Sequence, residues 1–443
     1  LVGAAALALR VAHTLVSQGG NPPAGDAVYF YGQGIAVADG EGFIDPIIFQ
    51  VFDLKLQAAH HPPLYPVFLA VMSKVVGTSP QSLRLATCVL GAAAVVVIGL
   101  VGRRVAGERA GLLAATAAAV YPNMWANDGL LLSEPLYALT IALTLLAAYR
   151  LWQDPRPREA MFLGGAIGLA TLARAEALAL FVLLAIPLVL VCRALDRRQR
   201  LSLVAVVLAA GSVVMAPWVA HNLYRFEEPV TLSYGLAGVL PQANCDLTYS
   251  GVFLGYWSPS CSFPDETIGP SAQECLRDRA RCAEIYASQF GDESEAAALG
   301  QKRGLQYMSD HRGRLPVVVA ARVGRMWGLF RPGQQVEIDA VGEGRGLLLA
   351  RVALITFYES VAVAVAGLVL LRRRRVPILP LVSMAVLVTV VAAAAIPVTR
   401  YRMPVEVAMA VLAGVVADQV IRWWSGRSRP TAGGSSSVEP ARG

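Results

Sequence analysis

Residues 82–137 read SLRLATCVLGAAAVVVIGLVGRRVAGERAGLLAATAAAVYPNMWANDGLLLSEPLY. Two apolar runs flank a short basic gap holding Arg103, Arg104 and Arg109. Each run approaches the length of about 17–25 residues that a helix needs to cross a bilayer. The gap between them carries the arginine excess of a cytoplasmic loop.

The pattern repeats on both sides. The chain of 443 residues is 56% hydrophobic and 16% charged, where a soluble domain carries about a quarter charged residues. Apolar runs are expected to span at 1–17, 81–102, 109–125, 133–151, 159–173, 176–194, 201–220, 347–371, 376–396 and 403–423. Basic clusters fall in every second gap: Arg150, Arg156 and Arg158; Arg193, Arg197, Arg198 and Arg200; Arg372 to Arg375; Arg422, Arg427 and Arg429. Placing all of them in the cytoplasm gives one consistent topology with both termini inside. The fold class is therefore an all-α polytopic membrane protein of about ten or more transmembrane helices. The net charge of +7 resides in these loops, so it marks membrane lipids as neighbours and argues against a nucleic-acid partner. Residue 1 is a leucine already inside an apolar run, and further residues are expected ahead of it.

Two long segments then face outward, residues 18–80 and 221–346. The expected division is an N-terminal transmembrane module 1–220 with the first loop, a cysteine-containing extracytoplasmic loop 221–346, C-terminal helices 347–423, and a polar Gly/Ser-rich tail 424–443 that reads as disordered. Cys88 and Cys192 lie in apolar segments as packed thiols. Cys245, Cys261, Cys275 and Cys282 share the long loop, and an even number there suggests disulfides and an oxidising side. In one helix Cys275 and Cys282 would stand about 10 Å apart along the axis, too far to bridge. Either that segment bends or the pairs cross.

Chemistry-bearing residues gather at the outward ends. Asp26, in "AGDAVYFYGQGIAVADGEGF" (24–43), can act as a general base on an incoming hydroxyl or can cap the helix that follows. His60 and His61 precede Pro62 and Pro63, which force an extended approach. Neighbouring side chains then point to opposite faces, so both serving one metal is not expected; no cofactor is assigned, and a divalent metal is left open. Arg174, in "TLARAEAL", and Arg400 and Arg402, in "PVTRYRMP", break the positive-inside trend. Guanidinium groups suit bidentate phosphate binding, and intramembrane ionisable groups lean towards function; the alternatives are lipid headgroups or pairing with Glu134 or Glu176. Tyr65, Glu134 and Asn222 are further candidates for the same cavity, Asn222 alternatively as the cap of the seventh span. Asn127 and Asp128 lie in the turn ahead of Glu134. An acid with arginines suits transfer onto a hydroxyl with a phosphate leaving group. Outside the cytoplasm such a donor must be membrane-anchored.

The ordered set "GDAVYFYGQGIAVADGEGF", "HHPPLYPVFLAV", the 82–137 stretch, "GLATLARAEAL", "APWVAHNLYRFEEPVTLS" and "IPVTRYRMPVEVAMAVLAG" resembles membrane glycosyltransferases of the C-type superfamily over about residues 20–420. The branch it resembles contains the protein O-mannosyltransferases and the lipid A aminoarabinose transferase. The resemblance implies an inverting transferase in a bacterial cytoplasmic membrane, with its active site facing outside. It implies a polyprenyl-phosphate sugar donor and a glycan, lipid or protein acceptor. Asp26 matches the catalytic base, Arg400 and Arg402 the donor-phosphate positions, with Arg174 beside them, and His61 the His-Pro-Pro element. Two positions depart from the pattern. Relatives often carry an acidic pair where Asp26 is followed by Ala27, which makes Glu41 the reserve acid, and an arginine where this chain has His221. The rival functions are a lipid or glycan flippase or transporter, which would place its polar groups near the midplane, and a lipid-linked glycan ligase.

Overall fold

A computed structural model describes residues 1–192, 195–261, 278, 280, 293–342 and 344–427. Among them every extended element is helical; the one strand-like feature is an antiparallel bridge between Ile44 and Gln57. Five helices are long and apolar enough to cross a membrane: Pro80–Ala106, Glu134–Gln153, Arg197–Arg225, Leu347–Arg373 and Thr399–Ser425. The other five expected segments are also helical but shorter, among them Val2–Ser17, Pro157–Ala173 and Leu379–Ala394. The chain is a multi-pass membrane protein.

Local chemistry sets the helix ends. Ser79 caps Pro80–Ala106 by accepting the Ser82 N–H at 3.1 Å, and Pro80 occupies the first turn, where no N–H is needed. Arg103 and Arg104 close the same helix, favourably for its dipole. Gly107, at φ 97°, then turns the chain into Glu108–Val120. Asp196 opens Arg197–Arg225 with a capping box shared with Gln199.

Burial separates inner from outer helices. In Glu134–Gln153, 72% of the apolar window is buried, against 22% in Arg197–Arg225 and in Leu347–Arg373. The last two present most of their apolar surface outward, as helices bathed by lipid tails do. The core is built from small and branched side chains, such as Ala94, Ile98, Ala114, Ile141, Leu145, Leu163 and Val411. Because hydrocarbon solvates apolar side chains as well as another helix does, close backbone approach does much of the joining. At the contact between Pro157–Ala173 and Arg197–Arg225, a Cβ on Gly164 would stand 2.1 Å from the Val207 carbonyl oxygen.

The segment expected as one span at 176–194 is broken. It runs as a 3-10 turn Ala175–Ala179, a π turn Phe181–Ala185 and a short α-helix Ile186–Leu190. Pro187 accounts for this, because it has no N–H to give the Leu183 carbonyl and its ring crowds that turn. Ser383 Oγ donates to the Leu183 carbonyl instead, at 2.9 Å.

In the long loop Cys245 and Cys261 form a disulfide, with Cα atoms 6.2 Å apart. Cys275 and Cys282 lie outside the described residues, as do 428–443 of the expected tail. Cys88 and Cys192 are buried free thiols.

Replacing Gly164 by valine is expected to lower the unfolding temperature of the detergent-purified protein by several degrees. Gly165, whose Cβ would meet nothing within 4 Å, should accept alanine without loss. Equal effects at the two positions would contradict the packing described.

Candidate active site

The helix Asp26–Ala38 begins at Asp26 itself; its N-cap is Gly25, at φ 57°, and no side chain caps it. The Asp26 carboxylate is therefore free of the capping role. It makes an ion pair with the Arg400 guanidinium, 374 residues away in sequence. Arg400 lies in the 3-10 turn Thr399–Arg402, just ahead of the last helix. Its Nε stands 3.6 Å from Glu134 Oε1. Arg174 reaches the same Glu134 oxygen from the end of Pro157–Ala173, at 2.8 Å, and Glu176 at 2.6 Å. Its guanidinium lies over the Tyr401 ring at 4.0 Å. Four parts of the chain thus bring three carboxylates and two guanidiniums into one group. Glu134 is fully buried, Arg174 and Arg400 nearly so, while Asp26 keeps 39% of its side chain exposed.

His60 and His61 stand beside the acid. His61 stacks on Phe30 with ring centroids 4.3 Å apart, and His60 meets His61 edge-on at 4.5 Å. Tyr29 and Tyr234 pack against His60 at 5.4 and 5.6 Å. The chain bends at His60, His61 and Pro63, so the two rings lie together instead of on the opposite faces expected of an extended segment. A residue that the sequence reading passed over clamps it from behind. Arg225 donates to the carbonyls of Phe43 and Ala58, at 2.8 and 2.6 Å, and to Gln57 at 3.0 Å, with its plane near the Trp218 and Phe226 rings. Its only signal is its place in "HNLYR", at the end of a span opening onto the long loop.

The electrostatics follow from this packing. Arg400 in the first place, helped by His61 and His60, holds the Asp26 carboxyl well below the usual carboxylate range against the cost of its burial. Burial pushes both imidazoles below their ordinary value, His61 the further because His60, Arg174 and Arg400 add to it. Burial opposes the charge on Arg174, and Glu176 and Glu134 more than restore it. Near neutral pH the site therefore presents a charged carboxylate, two guanidiniums and neutral imidazoles. His61 Nε2 is buried without a hydrogen-bond partner. Such a group can take a proton from a hydroxyl and hold a phosphate.

Other candidates stand apart. Glu41 follows the far end of Asp26–Ala38, about 18 Å of helix from Asp26, and pairs with Lys55. Arg402 turns away from Arg400 because successive 3-10 residues point in different directions. It donates to the Met326 carbonyl and lies over Phe357 at 4.1 Å, lining a separate cavity with Asn123, Arg345 and Asp339. Tyr65 is fully buried, with its hydroxyl 3.2 Å from Thr87 Oγ1. Asn222 lies inside Arg197–Arg225 rather than capping it, donating to the Thr231 carbonyl at 3.0 Å. Asp128 pairs with Arg10 at 2.6 Å, and Asn127 accepts from Arg345 at 2.6 Å. Among the described residues no group of three histidine, cysteine, aspartate or glutamate side chains is placed to hold a metal ion.

The dolichyl-phosphate-mannose-protein mannosyltransferase family matches residues 60–221. The fold matches the oligosaccharyltransferase AglB of Archaeoglobus fulgidus, solved with an inhibitory peptide and a dolichol-phosphate. That match has a TM-score of 0.52 and 15% identity, over 98% of this chain and 52% of the other. At this identity the likeness is one of fold. An apo structure of the same Archaeoglobus enzyme matches with a TM-score of 0.51 and 16% identity, over 95% and 51% of the two chains. ArnT of Cupriavidus metallidurans, bound to undecaprenyl phosphate, gives a TM-score of 0.45 at 17% identity, over 94% and 77%. The chain spans about half the length of the Archaeoglobus structures. No curated protein sequence matches the chain. Of the site residues, His60, His61, Glu134 and Arg174 fall within the family match, whereas Asp26 and Arg400 fall outside it.

Two outcomes are expected of the site as a structural unit. Glu134→Gln leaves Arg174 with one fewer buried partner, a change that typically costs about 3–5 kcal/mol. It should lower the unfolding temperature clearly more than Glu176→Gln, and the reverse order would contradict the network. Glu293, which accepts a hydrogen bond from Tyr234, is pushed up to about 8, chiefly by burial and then by Asp45, against the Tyr234 bond. The folded protein therefore holds a proton that the unfolded chain releases near 4.5. Its contribution is complete below about pH 4.5 and is lost as pH rises through about 8. Unfolding temperatures measured across that window should fall, and Glu293→Gln should flatten the slope.

Proposed function

We propose that the chain is an inverting glycosyltransferase that moves a sugar from a polyprenyl-phosphate donor to a hydroxyl acceptor on the extracytoplasmic face of the cytoplasmic membrane. The observation that carries this reading is the meeting of Asp26 with Arg400 and, through Glu134, with Arg174. A base and a phosphate cradle are thereby side by side. The family match and the fold support the class of reaction.

In this mechanism the acceptor oxygen attacks the anomeric carbon from the face opposite the phosphate. The bond from that carbon to the phosphate oxygen breaks, and its electron pair leaves with the polyprenyl phosphate. The acceptor proton passes to Asp26, so one displacement inverts the anomeric centre. Arg400 and Arg174 face the charge that gathers on the leaving phosphate, the kind of preorganised stabilisation that speeds such steps. His60 and His61, neutral and packed on Tyr29 and Phe30, form a wall on which the sugar and its hydroxyls rest.

The test is transfer from labelled polyprenyl-phosphate sugars in membranes carrying the wild-type chain or Asp26→Asn. General-base catalysis contributes about 10²–10⁴-fold, and turnover should fall by that factor with the protein still folded. Full turnover in the variant would remove Asp26 from the chemistry.

A further inference from the structure

The charges of the site do not balance for a bound donor. Among the described residues Asp26, Glu134 and Glu176 already face Arg174 and Arg400, three carboxylates to two guanidiniums. A phosphodiester adds another negative charge, and it seats most easily where a carboxylate can give up its place. Burial decides which. Glu134 is fully buried and keeps Arg174 at 2.8 Å; moving it would strand a charge out of reach of water. Glu176 is 22% exposed and lies on Arg174 at 2.6 Å. Asp26 is 39% exposed and stands on the Arg400 guanidinium itself, on a helix that it does not cap.

We infer that the donor phosphate binds by taking the place of Asp26 on Arg400, so that the base is masked in the empty site and released only when the donor is seated. This rests on the proposal that Arg400 receives the donor phosphate. Its consequence is an order of events: the donor enters first, and the acceptor hydroxyl meets a competent base only afterwards. The freed carboxylate also loses the cation that suppressed its proton affinity, which makes it the stronger base at the moment of transfer.

The experiment measures affinity rather than turnover, using undecaprenyl phosphate and the full chain in detergent. Asp26→Asn removes the competitor and should bind the lipid phosphate about tenfold more tightly than wild type. Arg400→Gln should bind it more weakly, and in that background Asp26→Asn should bring no gain. Unchanged or weaker binding by Asp26→Asn, or a gain that survives Arg400→Gln, overturns the inference. A second measurement needs no variant: carbodiimide labelling of Asp26 in the wild-type chain, read by mass spectrometry, should rise severalfold on adding undecaprenyl phosphate. No rise counts against it. Undiminished binding by Arg400→Gln would instead refute the phosphate assignment, and active Asp26→Asn would refute the base; neither is confused with failure of the displacement.

Discussion

The ion pair between Asp26 and Arg400 joins the start of the chain to its end. Asp26 rides on a short helix pinned between the first loop and the bundle, and Arg400 on a tight turn entering the last helix. Two such charges are costly to desolvate, and they persist because each has partners: Glu134 lies behind Arg400, and Arg174 and Tyr401 lie behind Glu134. The network also explains why a charged group tolerates deep burial without a metal-binding cluster among the described residues.

The bundle supplies rigidity through backbone proximity rather than large side chains. Alanines and glycines line the contacts of Pro80–Ala106, Glu108–Val120 and Met403–Arg427, where a Cβ on Gly414 would come within 2.5 Å of the Ala110 carbonyl oxygen. Such interfaces leave little freedom to slide. The first loop is held by polar means instead, with Arg225 gathering the carbonyls that precede His60 and His61. Rigid helices and a clamped loop together fix the imidazoles beside the carboxylate.

Much of this was legible in the sequence, and the misses are instructive. The apolar runs and arginine clusters announced a polytopic helical protein because hydropathy and charge are summed over local windows. Asp26, Glu134, Arg174 and Arg400 stood out because charged groups at the ends of apolar spans are costly without a purpose. The broken helix at 175–190 was hidden: a single proline and a carbonyl satisfied by Ser383, two hundred residues away, decided it. A helix length separates Glu41, the reserve acid of the resemblance, from Asp26, and the turn of a 3-10 segment points Arg402, a donor-phosphate candidate, towards Met326.

By itself, then, the sequence determined that this chain carries many apolar helices and that its unusual charges collect at their ends. Those are properties of composition and spacing along one strand of chain. Only the tertiary structure decided which acid meets which arginine, that Asp26 pairs rather than caps, that Cys245 closes on Cys261, and that Arg225 holds the histidine loop. The physical reason is that partner choice depends on distance and burial among residues far apart in sequence, and no local window contains either.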